Sequence, residues 1–261
     1  MASKTSESGG DDAAVLLACV RRLGDNALVL GQRLTELVAH GPELEEELAN
    51  ANFALDYIGQ ARMFYSYAGE LEGQGRSEDD FAFLRDAHEF QNFLLLEQPN
   101  GHFGDTVVRQ LLFQAFYVLQ LAAFAQCSDE RLASIATRVV KEVRYHLRHS
   151  TQWFVRLGDG TDLSHARVAE SVERLWPYTS ELFDGDAIDD AMRVSWGGPD
   201  LDALRGEWRR SLEFVFADAG LRVPVDGWKP GGGRRGVHTE HMGYLLAELQ
   251  FMQRAYPGAA W

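Results

Sequence analysis

An all-α bundle is the fold this chain predicts, and three observations predict it. Apolar residues recur at helical spacing along most of the 261 residues, while runs of alternating β-branched residues are few. Breaker residues divide the longest stretches into two helix pairs. The second helix of each pair holds a related segment, Asp56-Tyr57-Ile58-Gly59-Gln60 and Glu142-Val143-Arg144-Tyr145-His146. With 46% hydrophobic and 11% aromatic residues, the chain can bury a large core.

The elements follow in order. Met1 to Asp12 is rich in Ser, Gly and Asp and lacks an apolar h-region, so it reads as a disordered lead-in rather than a signal peptide, and residues 13–261 form a single domain. The first helix runs from Ala13 to His40 with a bend at Gly24. Pro42 takes the N1 position of a second, Glu43 to Gly69, whose apolar face is Leu44, Leu48, Ala51, Leu55 and Ile58. Glycines in Leu71 to Arg76 interrupt the pattern. A third helix, Asp79 to Glu97, opens with acidic residues that suit its N-terminal dipole, and Gln98-Pro99-Asn100-Gly101 is a turn.

The second long pair covers Phe103 to Gln126 and Asp129 to Arg156, closed by Gly158-Asp159-Gly160. Additional C-terminal helices are expected near Ser164 to Leu182, with a kink or stop at Pro177, and near Pro199 to Ala219. Between them Asp184 to Asp190 is a solvated loop. Leu221 to Gly236 contains Pro224, Pro230 and the run Gly231-Gly232-Gly233, too many breakers for regular structure. A last helix runs from Thr239 to Arg254.

A net charge of −14 and a pI near 5.0 oppose binding to nucleic acid or an anionic membrane. No run approaches the ~18 apolar residues of a membrane span, so a cytoplasmic protein is expected. Cys19 and Cys127, with no CxxC spacing, read as reduced core thiols.

The paired segments point to a particular chemistry, and to its loss. Residues three apart share a helix face, so di-iron carboxylate bundles place Glu-x-x-His on two helices and one more Glu on each partner helix. Here those slots read Tyr57 and Gln60 in the first half, Val143 and His146 in the second, with Glu36 and Gln114 on the partner helices. One carboxylate and one imidazole stand where a di-iron centre uses four and two. Neutral groups cannot offset the charge of two iron ions. We therefore expect a ferritin-like bundle whose metal site is degenerate, with no metal and no catalytic residue. Phe53, Tyr57, Gln60 and Phe64 also form one helical stripe, and Val139, Val143, His146 and Ser150 another. Such stripes make a core in which Gln, Tyr and His satisfy one another.

Other candidates are weaker. His238-Thr239-Glu240-His241 has two histidines three apart, but a capped helix start explains the same residues. Gly231-Gly232-Gly233-Arg234-Arg235-Gly236 is a flexible basic loop without a P-loop ending, so Arg234 and Arg235 are expected to contact a partner. His40, His88, His102, His149 and His165 read as surface or loop residues. Glu142, Arg144 and Arg148 read as a salt-bridging set.

Several long runs are recognisable. Asp25-Asn26-Ala27-Leu28-Val29-Leu30-Gly31-Gln32-Arg33-Leu34, Leu55 to Arg62, Glu97-Gln98-Pro99-Asn100-Gly101, Lys141 to Arg148, Gly231 to His241 and the terminal Trp261 closely resemble the C-type subunits of bacterial phenylacetyl-CoA epoxidases. The resemblance covers nearly the whole chain from Leu23. It implies a ferritin-like scaffold subunit paired with a homologous catalytic subunit that carries the di-iron centre. The implied complex is a monooxygenase that epoxidises the aromatic ring of phenylacetyl-CoA, drawing electrons from NADPH through a flavin and iron–sulfur reductase. Expressed alone, such a chain is expected to form a homodimer. Two other classes compete with this reading, a metal-dependent oxidoreductase using Glu36 and His146 and an acyl-CoA-binding helical module.

Overall fold

A computed structural model describes residues 5–259, with side chains from residue 12 onward. Met1 to Lys4 of the expected lead-in and Trp261 lie outside the described residues. Among those described there is no strand, and the helices are α1 (Thr5–Thr35), α2 (Leu44–Glu72), α3 (Glu78–Phe83), α4 (Phe103–Phe124), α5 (Glu130–Gly158), α6 (Asp162–Leu175), α7 (Ala187–Trp196), α8 (Leu201–Asp218) and α9 (Glu240–Ala255). The fold is the expected all-α, ferritin-like bundle. α1 packs along α2, α4 along α5, and the pairs meet through α2 and α5. The additional helices dress this bundle, α6 and α8 against α4 and α5, α7 against α1, and α9 against α1 and α3.

Local chemistry explains most boundaries. α5, α7 and α8 begin at Asp129, Asp186 and Asp200, whose carboxylates accept backbone N–H groups of the first turn. α6 begins at Thr161 in a capping box with Ser164. α2 ends on Gly73 at φ 66°, the left-handed cap that glycine adopts without penalty. Pro177 does stop α6, and the chain continues as 3₁₀ turns from Trp176 to Phe183. Leu221 to Gly236 is irregular apart from one 3₁₀ turn at Gly233–Arg235.

Several expectations need correction. α1 begins at Thr5, ahead of Ala13, and ends at Thr35. It runs uninterrupted through Gly24, where a Cβ would lie 2.5 Å from the Tyr65 ring, so this glycine serves a close helix crossing. Pro42 precedes the N-cap Glu43 and is not at N1. The third helix stops at Phe83. Beyond it only a 3₁₀ turn at Ala87–Glu89 forms before α4, because α1 captures the segment's backbone. Asp25 accepts the Gln91 N–H at 2.8 Å, Asn26 accepts that of Phe93 at 2.9 Å, and Arg33 donates to the Glu97 carbonyl at 2.7 Å. Asp184 to Asp190 is not a solvated loop, since α7 starts inside it. Asp186 binds Arg22 at 2.6 Å and Asp189 binds Arg234 at 2.6 Å.

Two faces also differ from expectation. The α2 stripe expected in the core lies outward, with Leu44 and Leu55 each 67% exposed and Leu48 56% exposed. Its buried face is Phe53, Tyr57, Gln60, Ala61 and Phe64. α4 is long and apolar enough to cross a membrane by length and composition, contrary to the reading that no run approaches a span. In the bundle 72% of its most apolar window is buried, which is the position of a core helix. Cys19 and Cys127 are free and buried, and burial above all pushes the Cys19 thiol up to about 12.

Candidate functional site

α2, α4 and α5 bring Tyr57, Gln60, Gln114 and His146 to one seam, all of them fully buried, with Val143 one helical turn from His146. Gln114 is the hub. Its Nε2 donates to the Tyr57 hydroxyl and to Gln110 Oε1, both at 3.1 Å, and its Oε1 accepts the Ser150 hydroxyl at 2.8 Å. Gln110 in turn donates to Asn50 Oδ1 at 3.2 Å. Burial holds the Tyr57 phenol well above its usual range, so it stays protonated.

Three further bonds tie α2 to α5. His146 Nε2 meets Asp56 Oδ2 at 2.9 Å, Gln60 Nε2 donates to Glu142 Oε2 at 3.1 Å, and His149 Nε2 meets Glu46 Oε2 at 2.9 Å. A carboxylate only accepts, so Nε2 of His146 carries a proton. Burial pulls the His146 imidazolium down against the opposing pull of Asp56, which favours the neutral ring. Its Nδ1 is then a bare acceptor without a partner. Burial also raises the Glu142 carboxyl, with Gln60 opposing and the Asp56 charge adding to the rise.

Glu36 stands apart from the other five positions. It lies just beyond α1 and pairs with Arg33 at 2.8 Å, while Asn100 donates to it at 3.3 Å. Nearby Arg109 is buried and donates to the Gln98 carbonyl and the Asn100 side chain. Desolvation and the neighbouring Arg33 charge push it down to about 9.

These residues do not fit a di-iron cluster. The seam offers glutamine amides, a protonated phenol and an alkyl group where bridging carboxylates are required, and the Gln114 amide is already spent on Tyr57, Gln110 and Ser150. Among the described residues no group of three or more His, Cys, Asp or Glu is placed to hold a metal ion. Asp56 and Glu142, each preceding a ligand slot, face a groove of about 600 Å³ between α2 and α5, rimmed by Arg62, Arg131 and Arg138.

Sequence reasoning missed Glu46, Asn50, Gln110 and His149 in this network. His149 was legible by its i+3 spacing from His146, and is not a surface residue. Glu142 pairs with Gln60 and, at 3.6 Å, with Arg138, whereas Arg148 lies over the Tyr145 ring. The Glu142, Arg144 and Arg148 set is therefore not a salt-bridge set.

The C-terminal candidates resolve differently. Arg234, expected at a partner surface, is buried; it donates to the Asp184 carbonyl and to Asp189 and lies over the Phe93 ring. Arg235 is exposed. Thr239 is the N-cap of α9, but its side chain makes no capping bond, and Glu97 instead accepts its backbone N–H at 2.8 Å. His238 binds Glu97 as well, at 3.0 Å.

Comparison with known proteins places the chain in a family. The C-type subunit of 1,2-phenylacetyl-CoA epoxidase from Escherichia coli (strain K12) is 47% identical over 246 residues, covering 94% of this chain and 99% of that protein. The family described as phenylacetic acid catabolic protein matches residues 1–261. With a match of that extent, the chain belongs to that family.

Proposed function

We propose that this chain is a non-catalytic structural subunit of an oxygenase that epoxidises phenylacetyl-CoA in aerobic phenylacetate degradation. The observation that carries this reading is the neutral seam, with Gln114 bridging Tyr57, Gln110 and Ser150 where a metal pair would need carboxylates. The Escherichia coli relative supports the pathway. In this reading a homologous catalytic subunit supplies the di-iron centre, and a reductase with flavin and an iron–sulfur cluster supplies electrons from NADPH. The chain works in the cytoplasm beside these subunits.

The outward stripe of α2 suits a docking role, since Leu44, Leu48, Leu55 and Ile58 line up along one exposed helix face. The competing oxidoreductase needs Glu36 and His146 in one site, but Glu36 is bound to Arg33 and Asn100. An acyl-CoA module would need an apolar cavity with convergent polar groups.

Metal analysis and turnover test the proposal together. The purified chain is expected to hold substoichiometric iron and to show no turnover with phenylacetyl-CoA and an electron donor, yet to co-purify with the catalytic subunit. Stoichiometric iron lost on His146→Ala would overturn it.

A further inference from the structure

Among the described imidazole–carboxylate pairs, His238 and Glu97 are the most completely enclosed, with side chains 4% and 0% exposed. The seam does not use them. His238 Nδ1 lies 3.0 Å from Glu97 Oε2 and its Nε2 lies 2.9 Å from the Phe90 carbonyl oxygen. Both partners can only accept. A neutral imidazole has one N–H and leaves one of these contacts without a proton, whereas the imidazolium satisfies both.

The pair sits where one stretch of chain is strapped over another. Glu181, 3% exposed, accepts the backbone N–H groups of Leu94, Gly232 and Gly233 at 2.7, 2.9 and 2.8 Å, pinning one end of the 232–239 strap to the Phe90–Glu97 stretch. Gly236, at φ 74°, passes so close that a Cβ would lie 2.0 Å from the His88 carbonyl. Glu97 pins the other end, taking His238 on one oxygen and the Thr239 N–H on the other. α9 starts at the next residue, so this carboxylate also caps it.

We propose that Glu97 and His238 form a protonation-gated latch, closed while His238 is an imidazolium and released when it loses its proton. Release would loosen the strap and the first turn of α9, which present Val237 and Tyr244 to solvent. The groups facing the pair come from each packed element. α1 contributes Asp25, whose charge favours the imidazolium, and Arg33, which donates to the Glu97 and His241 backbone carbonyls. The 3₁₀ stretch contributes Tyr178, whose phenol burial and the Glu97 charge keep protonated.

The sign is fixed by the geometry. Burial pulls the His238 imidazolium down, but the Glu97 hydrogen bond and charge and the Phe90 carbonyl outweigh it, so its folded value lies above the ordinary one. The latch therefore contributes fully below the unfolded-state value near 6.5 and is lost as pH rises through the raised one.

Two measurements on the full chain test this. Imidazole ¹⁵N resonances should show His238 titrating above a free histidine, with both nitrogens protonated on the acid side of that transition. Amide exchange over residues 232–245, corrected for intrinsic rates and referenced to α4, should accelerate about tenfold per pH unit through that transition, and His238→Gln should be fast at every pH. A His238 that titrates at or below the ordinary value, or wild-type exchange that follows the intrinsic rate alone, overturns the latch without touching the subunit assignment.

Discussion

At the residue scale, a buried polar cluster lies where α1 meets the segment after α3. Asp25 is fully buried and accepts the Tyr65 hydroxyl at 2.6 Å, the Gln91 N–H and the Arg85 guanidinium, which itself rests 4.0 Å over the Phe90 ring. With Tyr65 held this way, its ring cannot swing clear of Gly24. Gly24→Ala should therefore destabilise the fold by about 1–3 kcal/mol through overpacking, despite alanine's better helix propensity. Urea unfolding of the two proteins checks this, and an equal or higher midpoint for the variant would show that Tyr65 yields. The same residues explain part of the motif Asp25 to Leu34, because Asp25, Asn26 and Arg33 each hold backbone of the irregular segment. The motif was legible; its purpose was not, since those partners lie 60 or more positions away.

At the element scale, α2 is apolar on two faces, and periodicity alone favoured the wrong one. Aliphatic Leu44, Leu48, Leu55 and Ile58 make the clearer stripe, yet the aromatic and polar stripe of Phe53, Tyr57, Gln60 and Phe64 is buried. Bulk decides this, because the rings and amides fill and bond across the seam, and Phe53 packs tilted against His146 with ring centroids 4.4 Å apart. α5 faces that seam with Val143, which is fully enclosed. Val143→Glu should lower the melting temperature and bind no iron, because a buried carboxylate without a partner costs several kcal/mol. An unchanged melting temperature with newly bound iron would show a roomier, more polar seam. The site was thus largely readable from spacing, which placed Tyr57, Gln60, Gln114 and His146 together. Glu36 failed because α1 ends at Thr35, and Arg33 then turns it away.

At the scale of the whole molecule, a bundle with an outward apolar stripe on α2 and a net charge of −14 should associate through that stripe and not through charge. Obligate interfaces commonly bury about 2,000 Å² or more, so the chain alone should form a homodimer and exchange it for a hetero-complex when the catalytic subunit is co-expressed. Leu48→Glu with Leu55→Glu should abolish both while changing monomer stability by under about 0.5 kcal/mol each, as exposed substitutions do. Light scattering with co-purification checks this. A double variant that still dimerises would place the interface elsewhere. By itself the sequence determined the all-α class, the long helix pairs and the neutral residues Tyr57, Gln60, Gln114 and Val143 of the seam, because helical period, breakers and residue identity are local properties. Only the tertiary structure decided which face of α2 is buried, where the third helix ends, and that Arg234 turns inward to Asp189 while His238 meets Glu97. Those outcomes depend on donors and acceptors distant in the chain, and local propensity carries no information about them.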